Sequence, residues 1–297
     1  MSYPALRTTL GAVTGAALLA LAAACGSAPD TAPPVASLDL TMSRARIALG
    51  SPVDMQYRFT VAPDAPTLGA TRVFVHFLDV DEELMWTDDH EPPTPVSSWK
   101  PGDVIEYERT LFAPVWYPYV GPGRIVVGLY NPEDNARLPL SGVDRGDRSY
   151  TAAEIELLPQ TENVFLIFKD GWHPAEVASD NPSVEWQWMK KEATIDFRNP
   201  RADAVLYFRA DNPAGVPAAA SQVELRIGET VLATVPVGTE ERPIDRIPIS
   251  AAQLGESEMV ELRLVADRTF VPALESGGGS DTRELGARVF NVFLQPK

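Results

Sequence analysis

Short apolar runs, each about as long as a β-strand and each closed by a proline or glycine cluster, recur along the whole chain. The 297 residues include 27 prolines and 20 glycines, and many of these separate runs rich in valine, isoleucine, phenylalanine and tyrosine. Such a pattern is typical of all-β domains. In the first half, the predicted strands are 38–45, 53–61, 72–78, 105–112, 124–130 and 150–158.

The predicted strand 72–78 is apolar on both faces. Its sequence, Arg-Val-Phe-Val-His-Phe-Leu, places large apolar residues at odd and at even positions. Because successive side chains of a strand point to opposite faces of the sheet, such a strand belongs in the middle of a sandwich.

The second half has the same pattern of short apolar runs separated by turn residues, and it predicts a further sandwich. Its predicted strands are 164–168, 193–197, 204–209, 223–227, 231–235, 244–249, 260–266 and 287–294, and residues 250–254 form a predicted helical turn. Eight strands fit a jelly roll. A chain of this length favours two cores over one. We therefore predict two β-sandwich domains, immunoglobulin-like or jelly-roll-like, over residues 37–160 and 161–297.

The amino terminus predicts export and a lipid anchor. Arg7 precedes an apolar run that is too short to span a bilayer, and Ala22-Ala23-Ala24 precedes Cys25, the only cysteine of the chain. This arrangement resembles a bacterial lipobox. The resemblance implies a signal peptide over 1–24, lipidation of Cys25, and membrane attachment through that lipid. The alternative is an ordinary secretory signal with a cysteine beside it.

Two further features concern the envelope. Residues 25–36 are rich in proline, alanine and serine, and they predict a flexible tether. In lipoproteins of this kind, aspartate after the cysteine signals retention in the inner membrane. Gly26 occupies that position here, which favours the outer membrane or a periplasm-facing location.

The formal net charge of −16 excludes some partners. Phosphate backbones would be repelled, so we expect no nucleic-acid binding. Docking onto an anionic leaflet through basic patches is disfavoured for the same reason.

Residues 72–140 contain Val-Phe-Val-His-Phe-Leu-Asp, then Ser-Trp-Lys-Pro-Gly, then Val-Gly-Leu-Tyr. This stretch resembles the β-sandwich accessory domains at the carboxyl end of some bacterial membrane glycosyltransferase-like proteins and in exported bacterial proteins. Those domains have no established catalytic residues, so the resemblance implies a fold and no active site. The second half, with Phe-Arg-Asn-Pro and Arg-Glu-Leu-Gly, is similar to jelly-roll modules attached to bacterial sugar-related proteins.

Sequence motifs for metals and catalysis are weak. One acidic hairpin offers oxygen ligands for calcium, but its spacing does not match an EF-hand, and a solvated turn is the alternative. The calcium candidates are Asp79, Asp81, Asp88 and Asp89. The three histidines lack zinc spacing, and a nucleophile elbow is absent. We expect no cofactor and no enzymatic activity, although the many carboxylates leave a glycan hydrolase open.

Aromatic side chains are the best binding candidates, because sugar rings stack on aromatic faces while their hydroxyls bond polar neighbours. This hypothesis rests on an aromatic segment bounded by prolines and on a Trp-His pair. The alternative is that these aromatic side chains pack in the core. The candidate residues are Trp116, Tyr117, Tyr119, Arg124, Trp172 and His173. The sequence thus predicts a non-catalytic envelope protein that binds glycan or other envelope material. The alternative is a scaffold subunit that contacts another envelope protein.

Overall fold

The computed structural model describes residues 32–179, 184–212, 220–239, 243–275 and 280–297. The predicted signal peptide and residues 25–31 of the predicted tether lie outside the described residues. Nine strands precede residue 160: β1 (Ala36–Met42), β2 (Arg46–Ala48), β3 (Pro52–Val61), β4 (Arg72–Leu78), β5 (Leu84–Thr87), β6 (Val104–Phe112), β7 (Gly121–Tyr130), β8 (Arg137–Leu138) and β9 (Tyr150–Leu158).

These strands form two sheets. One has the order β1-β3-β6, and the other has the order β2-β9-β7-β4-β5 with β8 beside β7. All pairs are antiparallel except β2 with β9. With β1, β3 and β6 taken as strands A, B and E, and β4, β7 and β9 as C, F and G, this is the arrangement of an immunoglobulin-like sandwich.

Strict alternation along β3 explains the core of this first sandwich. Val53, Met55, Tyr57, Phe59 and Val61 are at most 2% exposed, and the residues between them face outward. Each large apolar side chain buried in this way stabilises the fold by about 1.5–3 kcal/mol. The facing sheet supplies the other half of the core from β4, β7 and β9.

The described residues of the second half form ten strands: β10 (Leu166–Phe168), β11 (Glu176–Val177), β12 (Glu185–Trp188), β13 (Glu192–Arg198), β14 (Ala204–Asp211), β15 (Gln222–Ile227), β16 (Thr230–Pro236), β17 (Asp245–Ile249), β18 (Met259–Ala266) and β19 (Arg288–Pro296). They form a sheet β10-β13-β18-β15-β16 and a sheet β11-β12-β19-β14-β17. Counted from β12 as the first strand, the sheets run 2-7-4-5 and 1-8-3-6, which is the strand order of a jelly roll. The predicted all-β fold, with immunoglobulin-like and jelly-roll-like sandwiches, is confirmed.

Short helical segments connect the strands, and the described part of the chain contains no helix long and apolar enough to cross a membrane. The α-helix is α1 (Ala251–Leu254), and 3₁₀ turns occur at Val96–Ser98, Gln160–Glu162 and Pro272–Leu274. The Ser250 side chain accepts a hydrogen bond from the Gln253 backbone N–H, and the Gln253 side chain accepts one from the Ser250 backbone N–H. Together these two bonds form a capping box at the start of α1. The predicted helical turn over 250–254 is therefore confirmed.

Each sandwich has its own buried core, one formed by residues between 35 and 157 and the other by residues between 189 and 294. The described chain from Ala32 to Lys297 nevertheless forms one compact unit. The predicted boundary near residue 160 lies between the two cores, and independent folding of the halves stays a prediction.

Candidate functional site

A row of large side chains covers the outer face of the jelly roll's β12-β19-β14 region. Along β14, Leu206, Phe208 and Ala210 point into the core, so Arg209 and Asp211 point outward. Neighbouring strands add three aromatic or cationic side chains to the same face. These are Trp186 from β12, and Arg288 and Phe290 from β19.

A β-bulge gives this surface its shape. Arg209 pairs with Asn291, whereas the next residue, Ala210, pairs with Val289, so Phe290 is the extra residue of β19. Bulges redirect side chains and increase local twist. Here the bulge places the Phe290 ring beside two arginines, with the guanidinium carbon of Arg209 5.1 Å and that of Arg288 5.4 Å from the ring centre.

Arg288 organises the charges on this face. It donates two hydrogen bonds to Asp211 on the adjacent strand, from Nε at 2.7 Å and from Nη2 at 2.8 Å. Its guanidinium carbon also lies 5.1 Å from the centre of the Trp186 ring. Bidentate pairing and stacking on aromatic faces both restrain an arginine, so Arg288 is held in one orientation.

These residues line an open groove with a volume of about 570 Å³. A second hollow of about 450 Å³ adjoins it and shares Val184, Trp186, Arg209 and Phe290 with the first. We call the two hollows together the sheet groove. Residues 180–183 and 240–242, which neighbour its rim in sequence, lie outside the described residues.

The second part of the sheet groove reaches the first sandwich. Phe168, Gln187, Asn291 and Phe293 belong to the jelly roll, whereas Gly50 and Phe112 belong to the immunoglobulin-like sandwich. The Phe112 and Phe293 rings meet edge to face with their centres 6.2 Å apart. One wall of the groove is therefore supplied by the other domain.

A polar network joins the two sandwiches beside this wall. Arg246 of β17 lies 2.9 Å from a carboxylate oxygen of Asp54 and 2.8 Å from one of Glu108. Tyr207 donates to Asp54 at 3.0 Å, and Thr110 donates to it at 2.7 Å. Burial and the neighbouring Asp54 carboxylate raise the pKa of Tyr207 to about 12, so its hydroxyl stays protonated and keeps donating at neutral pH.

The chemistry of the sheet groove suits a ligand that is partly apolar and rich in hydroxyls. Aromatic faces accept C–H surfaces, while guanidinium, carboxylate and amide groups offer donors and acceptors within the same depression. Such a mixture of apolar walls and a few fixed polar groups is typical of small-molecule sites.

The predicted aromatic segment lies elsewhere in the first sandwich. Trp116 is 69% exposed, and its ring meets that of Tyr117 edge to face. Tyr117 and Tyr119 pack partly on the core, and the Tyr119 hydroxyl donates to the Pro122 carbonyl at 2.7 Å. Arg124 pairs with Glu82 at 2.9 Å.

The predicted Trp-His pair lies in the jelly roll, shortly after β10 in the chain. Trp172 donates from its indole to the Thr194 carbonyl at 2.9 Å and packs on the jelly-roll core. Its ring meets Phe168, a groove residue, edge to face at 4.8 Å. His173 bonds the Glu284 carbonyl through Nε2 at 2.8 Å. None of the six predicted binding residues is among the described side chains that line the sheet groove, and their role in binding stays a prediction.

The carboxylates of the acidic hairpin bind separate local partners. Asp79 accepts hydrogen bonds from the backbone of Asp81 and of Glu83, each at 2.9 Å. Asp88 accepts a bidentate pair from Arg109 at 2.7 and 2.8 Å. Across the described ranges, no group of three or more histidine, cysteine, aspartate or glutamate side chains is close enough to hold a metal ion.

The remaining predicted candidate, Asp89, accepts a hydrogen bond from the Val75 backbone at 3.0 Å. Beside it, His90 is buried and bonds the Tyr107 hydroxyl at 2.8 Å and the Asp88 carbonyl at 2.7 Å. Burial lowers the pKa of His90, so the ring is neutral at pH 7 and fits a structural role.

Comparison with known proteins gives no family. No family model matches the sequence, and no curated protein matches it. Among solved structures, the chain is similar to a β-glucuronidase of Bacteroides uniformis, with 10% identity, 88% of this chain and 30% of that chain covered, and a TM-score of 0.28.

Two structures of ZmpB from Clostridium perfringens are also similar. One holds the CBM51-2 and INT domains, with 12% identity, 59% of this chain and 38% of that chain covered, and a TM-score of 0.22. The other holds the M60 catalytic domain with CBM51-1 and CBM51-2, with 9% identity, 82% of this chain and 34% of that chain covered, and a TM-score of 0.21. The chain thus spans about a third of the length of these proteins, and similarities at this level carry no inference about function.

Proposed function

We propose that this protein is a non-catalytic, lipid-anchored protein of the bacterial cell envelope that binds glycan in the sheet groove. The observation that carries the proposal is the groove in which Trp186 and Phe290 lie beside the Arg288–Asp211 pair. A pyranose ring has an apolar face and a polar rim, and this groove offers a complementary surface for each.

The geometry of the first sandwich is compatible with display away from a membrane. The described chain enters this sandwich at Ala36, which pairs with Val61 at one end of β3. Asp54, which contacts the jelly roll, lies seven residues along the same strand, or about 23 Å away. The described chain therefore enters the first sandwich at the end that is remote from the contact with the jelly roll.

Replacing Trp186 with alanine is expected to weaken glycan binding about tenfold or more, a loss of about 1.4 kcal/mol, because the groove loses its largest aromatic face. The measurement is binding of the purified protein to a glycan array, followed by titration calorimetry on the best neutral hit. Trp116→Ala is the matched control, since it removes an exposed tryptophan outside the groove.

Equal loss of binding in both tryptophan variants, or loss in Trp116→Ala alone, would move the site to the loop before β7. Melting curves of both variants show whether the fold survives. Phe290→Ala serves as a second groove variant if Trp186→Ala melts early.

The anchoring half of the proposal has its own test. Cys25→Ser removes the only thiol that could accept a diacylglycerol, so we expect the variant to leave the membrane fraction. Fractionation of bacteria that express each form measures this. Membrane association equal to that of the native chain would refute lipid attachment at Cys25.

A second candidate function rests on a different surface. Several apolar side chains at one end of the first sandwich are exposed, namely Val80 (55%), Leu84 (51%), Val115 (55%), Trp116 (69%) and Val120 (48%). Exposed apolar residues that cluster often mark contacts with other proteins. If the protein is a scaffold subunit, this end would contact an envelope partner, and soluble glycans would not compete with that partner.

A further inference from the structure

We infer that the sheet groove takes a neutral, extended glycan chain and that both sandwiches contact it. This inference rests on the proposed function and adds the ligand class. It depends on three observations: the length of the groove, the balance of its charges, and the fixed wall contributed by the first sandwich.

The floor of the groove is long. Along β19 it extends from Arg288 to Phe293, which is about 15 Å once the bulge at Phe290 is allowed for. Beyond Phe293, the surface continues onto Phe112 and Gly50 of the first sandwich. Over the described residues this surface is longer than a disaccharide, so it fits several consecutive sugar units of a chain.

The charges along the groove balance. Its ionisable side chains among the described residues are Arg209, Arg288, Asp211 and Glu185, two of each sign. Arg288 is committed to Asp211 by two hydrogen bonds. The chain as a whole carries a net charge of −16, so an anionic polymer would approach against the field of the protein. A neutral chain meets no such barrier, and its hydroxyls can bond both members of the Arg288–Asp211 pair.

The wall from the first sandwich is held in place before a ligand arrives. Arg246 bridges Asp54 and Glu108, and Tyr207 donates to the same aspartate. These contacts lie on the same outer sheet face as the groove, next to Phe293. A preorganised wall loses little entropy on binding, which favours a contribution from Phe112 to long ligands.

The test is titration calorimetry of the full chain with neutral cello-, manno- and chito-oligosaccharides, from disaccharide to hexasaccharide. Oligogalacturonates of the same lengths serve as the anionic series. At least one neutral series should gain tenfold or more in affinity between disaccharide and hexasaccharide, and its affinity should change little with sodium chloride concentration. The anionic series should bind at least tenfold more weakly.

Two variants locate the contacts. Trp186→Ala should weaken binding at every length, whereas Phe112→Ala should weaken the hexasaccharide and leave the disaccharide unchanged. Phe168→Ala, in the same part of the groove but on the jelly roll, repeats the second test if Phe112→Ala disturbs the domain contact. Val143→Ala, which truncates an 86% exposed side chain that does not line the groove, should change neither.

The possible outcomes separate the two proposals. Equal affinity for disaccharide and hexasaccharide overturns the extended site, and tighter, salt-sensitive binding of oligogalacturonates overturns the neutral class. Glycan binding would stand in both cases. If no oligosaccharide of either series binds and the glycan array is also blank, the proposed function fails, and this inference fails with it.

Discussion

Replacing Gly171 with alanine is expected to destabilise the jelly roll by more than about 3 kcal/mol. Gly171 has a φ of +81°, a region that disfavours side chains, and a Cβ there would lie 1.9 Å from the Glu192 carbonyl oxygen. It would also lie 2.7 Å from the Cα of Ala193. Both obstacles are backbone atoms of β13, so no rotamer change can relieve the contact.

Gly228→Ala is the matched control for this prediction. Gly228 also has a positive φ, of +53°, but a Cβ there would meet no atom within 4 Å. We expect that variant to lose only about 1 kcal/mol. Urea unfolding of both variants measures the difference. Equal losses would mean that Gly171 is needed only for its backbone conformation and that β13 can move away.

The strands were predictable because their periodicity is local. The predicted ranges 72–78 and 150–158 match β4 and β9, because turn residues bound both runs. Shorter strands, such as β2, β5 and β11, were missed, because two to four residues are too few to display a period of two. Pairing with a longer neighbour, not local propensity, defines them.

The groove was harder to foresee than the fold. Trp186 and Trp188 are two residues apart on β12, so the two rings share one face of the sheet. Arg288 approaches both rings, with its guanidinium carbon 5.1 and 6.0 Å from their centres. The rest depends on contacts between residues far apart in sequence. Asp211 and Arg288 are 77 positions apart and become neighbours only through the pairing of β14 with β19.

The bulge at Phe290 was also beyond prediction. Nothing in the run from 287 to 294 separates a regular strand from one with an extra residue, because the bulge appears only in the register with β14. Sequence reasoning therefore favoured the proline-rich segment around Trp116, where aromatic residues are adjacent in the chain. The groove residues come from five different strands, β6, β10, β12, β14 and β19, and no local pattern connects them.

Trp99→Ala is expected to destabilise the first sandwich by about 3–5 kcal/mol. Trp99 precedes Lys100-Pro101-Gly102 at the turn before β6, and its side chain is only 4% exposed. Its ring centre lies 5.1 Å from that of Phe59, and its indole nitrogen donates to the Thr94 carbonyl at 2.9 Å. Alanine would leave a cavity at the end of the core and remove the bond that fixes the turn over residues 94–99.

Urea unfolding of Trp99→Ala and Trp116→Ala decides this prediction. The two variants delete the same side chain from the same sandwich, but Trp116 is 69% exposed, so we expect its loss to change stability by no more than about 0.5 kcal/mol. Because the Trp99 ring packs on Phe59 within the core of the first sandwich, the loss should appear in the transition of that sandwich. A midpoint for Trp99→Ala equal to that of Trp116→Ala would contradict the prediction and show that the turn holds without the indole.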